Sequence, residues 1–146
     1  MSDTKYRVGI IGCGSIANAH AVGYQGVDAV EMVAIADPVD VSLNGFGDRY
    51  GINKRYHDAR EMLDNENLDI VSVATWHKLH SPMTIAACAR KPMAILCEKP
   101  MATDLNECDE MLIAAKRHDV KVAIAHQRRF NSAWTDARTL IAEGAI

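Results

Sequence analysis

Short apolar runs alternate along the chain with longer segments in which apolar residues recur three or four positions apart. Tyr6–Ile11 (YRVGII), Val30–Ala36 (VEMVAIA), Lys54–Tyr56, Ile70–Ala74 (IVSVA), Ala94–Cys97 and Val120–Ala125 read as six strands. Their apolar character is nearly continuous, which suits a sheet covered on both faces. Between them lie helical patterns. Ile16–Tyr24 puts Ile16, Ala17, His20, Ala21 and Tyr24 on one face. Val39–Tyr50 is a weaker helix diluted by Gly45 and Gly47, and Ala59–Leu63 is a short one with Asp58 as its N-cap. Leu79, Met83, Ala86 and Ala87 mark a fourth helix, with Pro82 in its first turn, where a missing N–H does no harm. Leu105, Cys108, Leu112 and Ala115 mark a fifth, capped by Thr103 or Asp104. A sixth runs from Ala133 to Glu143, with Ser132 as its cap and Trp134, Ala137 and Ile141 facing inward.

Strand–helix alternation implies parallel strands joined by helical crossovers. The expected architecture is α/β: a doubly wound, mostly parallel six-stranded Rossmann sheet with helices on both faces. Residues 1–125 form the sheet domain in this reading, and 126–146 a connecting segment and helix that lead onward. Glu143-Gly144-Ala145-Ile146 directly follows a helix. A glycine there ends the helix and lets the chain continue, so a fragment of a longer protein is expected.

Composition narrows the function. The 146 residues are 49% apolar and 24% charged, as in an ordinary soluble domain. A net charge of -3, the absence of a basic stripe and only 5% aromatic residues argue against nucleic acid or an anionic membrane as partner. Cys13, Cys88, Cys97 and Cys108 form no C-x-x-C pair, so no metal site is expected, and reduced, mostly buried thiols fit a cytoplasmic protein. Met1–Lys5 leads straight into a strand without the apolar core of a signal peptide, and no apolar run reaches membrane-span length.

The first strand runs into Gly12-Cys13-Gly14-Ser15-Ile16-Ala17, which fits G-x-G-x-x-G/A. Gly12 permits the tight turn, Gly14 lets a pyrophosphate approach the backbone, and Ala17 allows close helix–strand packing. Free N–H groups of the next helix, including those of Ser15 and Ile16, are placed to hold phosphates. The second strand ends at Asp37, 25 positions after Gly12. A carboxylate at that spacing accepts from the adenosine ribose hydroxyls. It would repel a 2′-phosphate, and the first Arg or Lys after Asp37 is Arg49, so NAD is favoured over NADP.

Ala94-Ile-Leu-Cys-Glu-Lys-Pro100, with the GCGSIA turn, the AIADP strand end and the ATWHKLH segment, resembles the glucose–fructose oxidoreductase / inositol dehydrogenase / rhizopine-catabolism (Gfo/Idh/MocA) family. The resemblance covers essentially the whole chain. It implies that Lys99 lies beside the nicotinamide and touches the reacting hydroxyl, where an ammonium stabilises developing alkoxide charge. It implies that Glu98 lines the nicotinamide-ribose pocket; the Lys99–Pro100 bond is open to either isomer. Ala74, Thr75, Trp76, His77 and His80 resemble the family's loop after strand four. Trp76 and His77 stand where Pro and Asn are more usual. For His77 a cofactor-pocket role is preferred to a metal role, because no second ligand has metal-site spacing. His80 reads equally as a cofactor contact or as a packed, hydrogen-bonded residue, and His20 as a satisfied core histidine. His126-Gln127-Arg128-Arg129-Phe130 resembles the family's segment after strand six. It places Gln127 and Arg128 near nicotinamide or substrate, and leaves Arg129 to a surface role and Phe130 to packing.

The resemblance thus implies an NAD-dependent oxidoreductase acting on CH–OH groups of a sugar, inositol or related polyol. This chain would supply the cofactor-binding half and be inactive alone. The family's C-terminal α/β domain, which carries most of the substrate pocket and the surface for homo-oligomers, is absent from the sequence as it stands. A non-catalytic NAD-binding sensor or partner-binding module is the alternative; Lys99 favours the enzyme, since pure binding needs no cation beside the reacting carbon.

Overall fold

The computed structural model describes residues 5–145. The reading of Met1–Thr4 as lacking a leader, and the chain's last residue, lie outside the described residues. Six parallel strands form one sheet: β1 (Tyr6–Ile11), β2 (Val30–Ala36), β3 (Lys54–Tyr56), β4 (Ile70–Val73), β5 (Ala94–Cys97) and β6 (Lys121–Ile124). Their order is β3-β2-β1-β4-β5-β6, with every neighbouring pair parallel. The chain therefore winds outward in one direction through β3, then returns and winds the other way from β4. The seam between β1 and β4 is the switch point at which open sheets of this kind bind ligands, beyond the strands' carboxyl ends.

Helices α1 (Ser15–Gln25), α2 (Asp40–Tyr50), α3 (Ala59–Asn65), α4 (His80–Cys88), α5 (Leu105–His118) and α6 (Ser132–Ala142) connect or follow the strands. Side chains alternate across the sheet as the strand period requires. Val8, Ile10 and Ile35 pack with Ala17 and Ala21 of α1 and Leu43 and Phe46 of α2. Ile11, Val71, Val73, Ile95 and Cys97 pack on the other face with Met62 of α3, Met83 and Cys88 of α4, and Met111 of α5. Burying each such Ile, Val or Met contributes about 1.5–3 kcal/mol. The helix starts follow local chemistry. Asp58 accepts from the Arg60 N–H, and Asp104 from the Glu107 N–H, while Glu107 accepts from the N–H and hydroxyl of Thr103. That arrangement is a variant of the capping box, with the return bond made by the residue before the cap.

Away from the site, Glu66 ties the amino ends of the sheet together. Its buried carboxylate accepts from Arg7 (2.9 Å), Lys54 (2.8 Å) and the Tyr56 hydroxyl (2.8 Å). Desolvation pushes this carboxyl up, but the bonds from Lys54 and Tyr56 and the charges of Lys54 and Arg7 outweigh it and hold it below the ordinary carboxylate value.

Two expectations are corrected at α6. Its cap is Asn131, whose side chain accepts from the Ala133 N–H, and not Ser132. Its apolar stripe does not face inward: no residue of α6 is buried, and Trp134 and Ile141 are 55% and 62% exposed. Phe130, placed in the core by its apolar character, is 88% exposed. Among the described residues nothing covers this apolar stretch.

Candidate active site

The turn after β1 is shaped by Gly12, whose φ is +91°. A Cβ there would also meet the Ala74 carbonyl oxygen at 2.7 Å, so the turn and β4 approach too closely for any side chain. At Gly14 a Cβ would meet nothing within 4 Å; the backbone faces open space. Gly14 is the N-cap of α1, with no side-chain cap and no acidic residue in the first turn. The first N–H groups of α1 thus lie beside an open approach, as a phosphate cradle requires.

Asp37 is clamped beside this turn. The Cys13 N–H donates to Asp37 Oδ2 (2.8 Å) and the Val39 N–H to Oδ1 (2.8 Å). The carboxylate is thereby oriented by the backbone of both loops while each oxygen keeps a lone pair free. Cys13 is buried against it. Burial and the Asp37 charge push its thiol up to about 12, so it stays protonated and packs as an apolar group.

A groove of about 550 Å³ runs from this turn across the sheet's carboxyl edge. Gly14, Ser15, Ile16 and Asp37 line one part of it, and Ala74, Thr75, Trp76, His77, Glu98 and Lys99 the rest. Nine of the cofactor candidates thus line the groove, with the catalytic candidate Lys99 as the tenth; Gly12 shapes the turn without joining the lining. Pro38, Val39, Ser42 and Leu79 also line it and were missed. Val39 and Leu79 were read as helical positions, and their exposed apolar surface beside the motifs shows only in the fold.

Besides Gly12, three candidates sit elsewhere. Gln127 and Arg128 line a second cavity of about 630 Å³, together with Lys99, Trp134, Thr135 and Arg138. The Arg128 guanidinium lies over the Trp134 ring, 5.6 Å from its centroid. Neither residue lines the groove; they line the cavity that meets it at Lys99. His80 is corrected as a direct contact. It is fully buried and absent from the groove's lining, with Nδ1 2.6 Å from the Pro100 carbonyl oxygen and Nε2 3.1 Å from that of Thr75. Lys99–Pro100 is cis.

Behind the groove, Glu98 is 4% exposed. Its Oε1 meets His20 Nε2 at 3.0 Å and its Oε2 accepts the Lys99 N–H at 3.1 Å. His20 Nδ1 meets the Ser72 hydroxyl (2.8 Å), which also meets the Tyr24 hydroxyl (3.0 Å). His20 is thus the satisfied core histidine expected. The network fixes the Glu98 carboxylate from α1 and β4, so every buried polar atom in it has a partner.

A glycine-turned switch point, an acid at the end of β2 and free N–H groups at the head of α1 define a dinucleotide-binding Rossmann domain. The comparisons agree. Residues 6–126 match the family described as "Oxidoreductase family, NAD-binding Rossmann fold" (GFO_IDH_MocA), and the chain belongs to that family. It is 31% identical over 140 residues to myo-inositol 2-dehydrogenase of Thermotoga maritima, covering 96% of this chain and 42% of that protein. It is 30% identical to D-apiose dehydrogenase of Paraburkholderia graminis, covering 97% of this chain and 38% of that one. The crystal structure of the WlbA dehydrogenase from Bordetella pertussis, in complex with NADH and UDP-GlcNAcA, matches with a TM-score of 0.87 at 28% identity. That match covers 96% of this chain and 42% of WlbA. The chain therefore spans about two fifths of the length of these relatives.

Proposed function

We propose that the chain is the cofactor-binding part of an NAD-dependent dehydrogenase that moves hydride between nicotinamide and a CH–OH group of a sugar, inositol or related polyol. In this reading residues 126–146 lead from the sheet domain towards a substrate domain. One observation carries the proposal: Lys99 is the single residue lining both the groove and the second cavity. A dinucleotide in the groove and a polyol in the second chamber would therefore meet at one ammonium group.

The residues fit such a cofactor. The open backbone at Gly14 and the uncapped α1 terminus receive the pyrophosphate, and Asp37 accepts from the ribose hydroxyls. Nicotinamide, when bound, supplies the hydride acceptor or donor. Lys99 stabilises negative charge developing on the substrate oxygen, and Glu98 fixes the Lys99 backbone from below. Trp76 and Leu79 wall the groove with apolar surface and help keep water from it.

Calorimetric titration of the chain with NAD and with NADP tests this reading. NAD is expected to bind at least tenfold more tightly than NADP, and Asp37→Ala to remove that preference. Binding of neither nucleotide overturns the reading.

A further inference from the structure

His80 is the one buried histidine whose two ring nitrogens both face main-chain carbonyl oxygens, Pro100 O at 2.6 Å and Thr75 O at 3.1 Å. The two carbonyls belong to different loops. Thr75 lies in the loop after β4, and Pro100 directly follows Lys99 after β5. Both loops line the groove, through Thr75 and Trp76 on one side and Glu98 and Lys99 on the other. The ring itself does not touch the groove and is fully shielded from water.

We propose that His80 is a positioning residue, a strap that fixes the spacing between the β4 loop and the Lys99 turn at the nicotinamide end of the groove. Carbonyl oxygens only accept, so a strap with both bonds made needs a hydrogen on each ring nitrogen. His80 opens α4, so the strap is anchored to a packed helix through its buried neighbours Ser81, Met83 and Thr84. Asp37, Gly14 and the head of α1 are held by separate bonds and do not depend on it. The inference deepens the dinucleotide reading above and rests on it.

The prediction is a split between the two ends of the cofactor. ADP reports the glycine turn and Asp37 alone; NADH reports the whole groove. His80→Asn offers one amide donor where Nδ1 stands, and His80→Gln one where Nε2 stands, so each variant keeps at most half the strap. Each is expected to bind NADH about tenfold more weakly, with reduced enhancement of nicotinamide fluorescence, while ADP affinity stays within about twofold. Equal weakening of both ligands, or of neither, overturns the strap. A wild-type chain that binds neither ADP nor NADH overturns the dinucleotide reading itself and the strap with it. Nitrogen-15 NMR of the wild-type ring needs no variant. Hydrogen on both His80 nitrogens supports the strap, and hydrogen on only one overturns it.

Discussion

The sheet body and α6 carry similar apolar residues with opposite fates. Ile10, Ile35, Met62 and Met111 are buried, whereas Trp134, Leu140 and Ile141 lie in the open. The difference is topological. Each body helix is enclosed in a βαβ crossover that presses it onto the sheet, whereas α6 follows β6 and the His126–Phe130 segment and, among the described residues, is enclosed in no such crossover. A helical stripe records that a face is apolar. Whether it is covered depends on what the rest of the chain sets against it.

Substitutions can break or sharpen this contrast. Met111→Ala, in the body, should cost about 3 kcal/mol of stability by urea denaturation, because a cavity opens between α5 and the sheet. Gly12→Ala should cost about 2 kcal/mol, since the residue sits at positive φ and its Cβ would press on the Ala74 carbonyl, and it should weaken NAD binding as well. Acid should act next. The folded-state carboxyl of Glu66 lies below its ordinary value of 4.5, so its stabilisation is present above that pH and is lost as pH falls through the folded value. Lys54 and Arg7 are partly exposed, so this amounts to on the order of 1 kcal/mol, and Glu66→Gln should flatten the acid limb of the stability–pH curve. Ile141→Ala in α6 should change stability by less than about 0.5 kcal/mol. A loss at Ile141 as large as that at Met111 would show that α6 is packed in solution and would remove the contrast.

The same contrast explains what could be read in advance. The six strands, the glycine turn and the place of Asp37 at the end of β2 were legible because each is encoded locally, by period or by short spacing. The caps at Asp58 and Asp104 were legible for the same reason. His20 was recognisable as a core histidine, but its bond to Glu98 spans 78 positions and leaves no local trace. His80 was ambiguous because the two carbonyls it meets come from separate loops, and a carbonyl looks alike at every residue. Gln127 and Arg128 were placed near the reacting atoms, and only the folded chain assigns them to the chamber beyond Lys99. At α6 the pattern promised a buried face, and Asn131 proved the better cap because it stands one residue outside the first helical turn.

The clamp on Asp37 bears on how this chain could change. The carboxylate that would choose between cofactors also staples the glycine turn to the loop after β2, through the Cys13 and Val39 N–H groups. Selectivity and loop integrity are therefore one trait inherited together. A lineage or a laboratory that exchanges Asp37 to admit a 2′-phosphate also releases two main-chain donors. Water, the incoming phosphate or a neighbouring side chain must then satisfy them, so a change of preference here is also a change in how the two loops are joined.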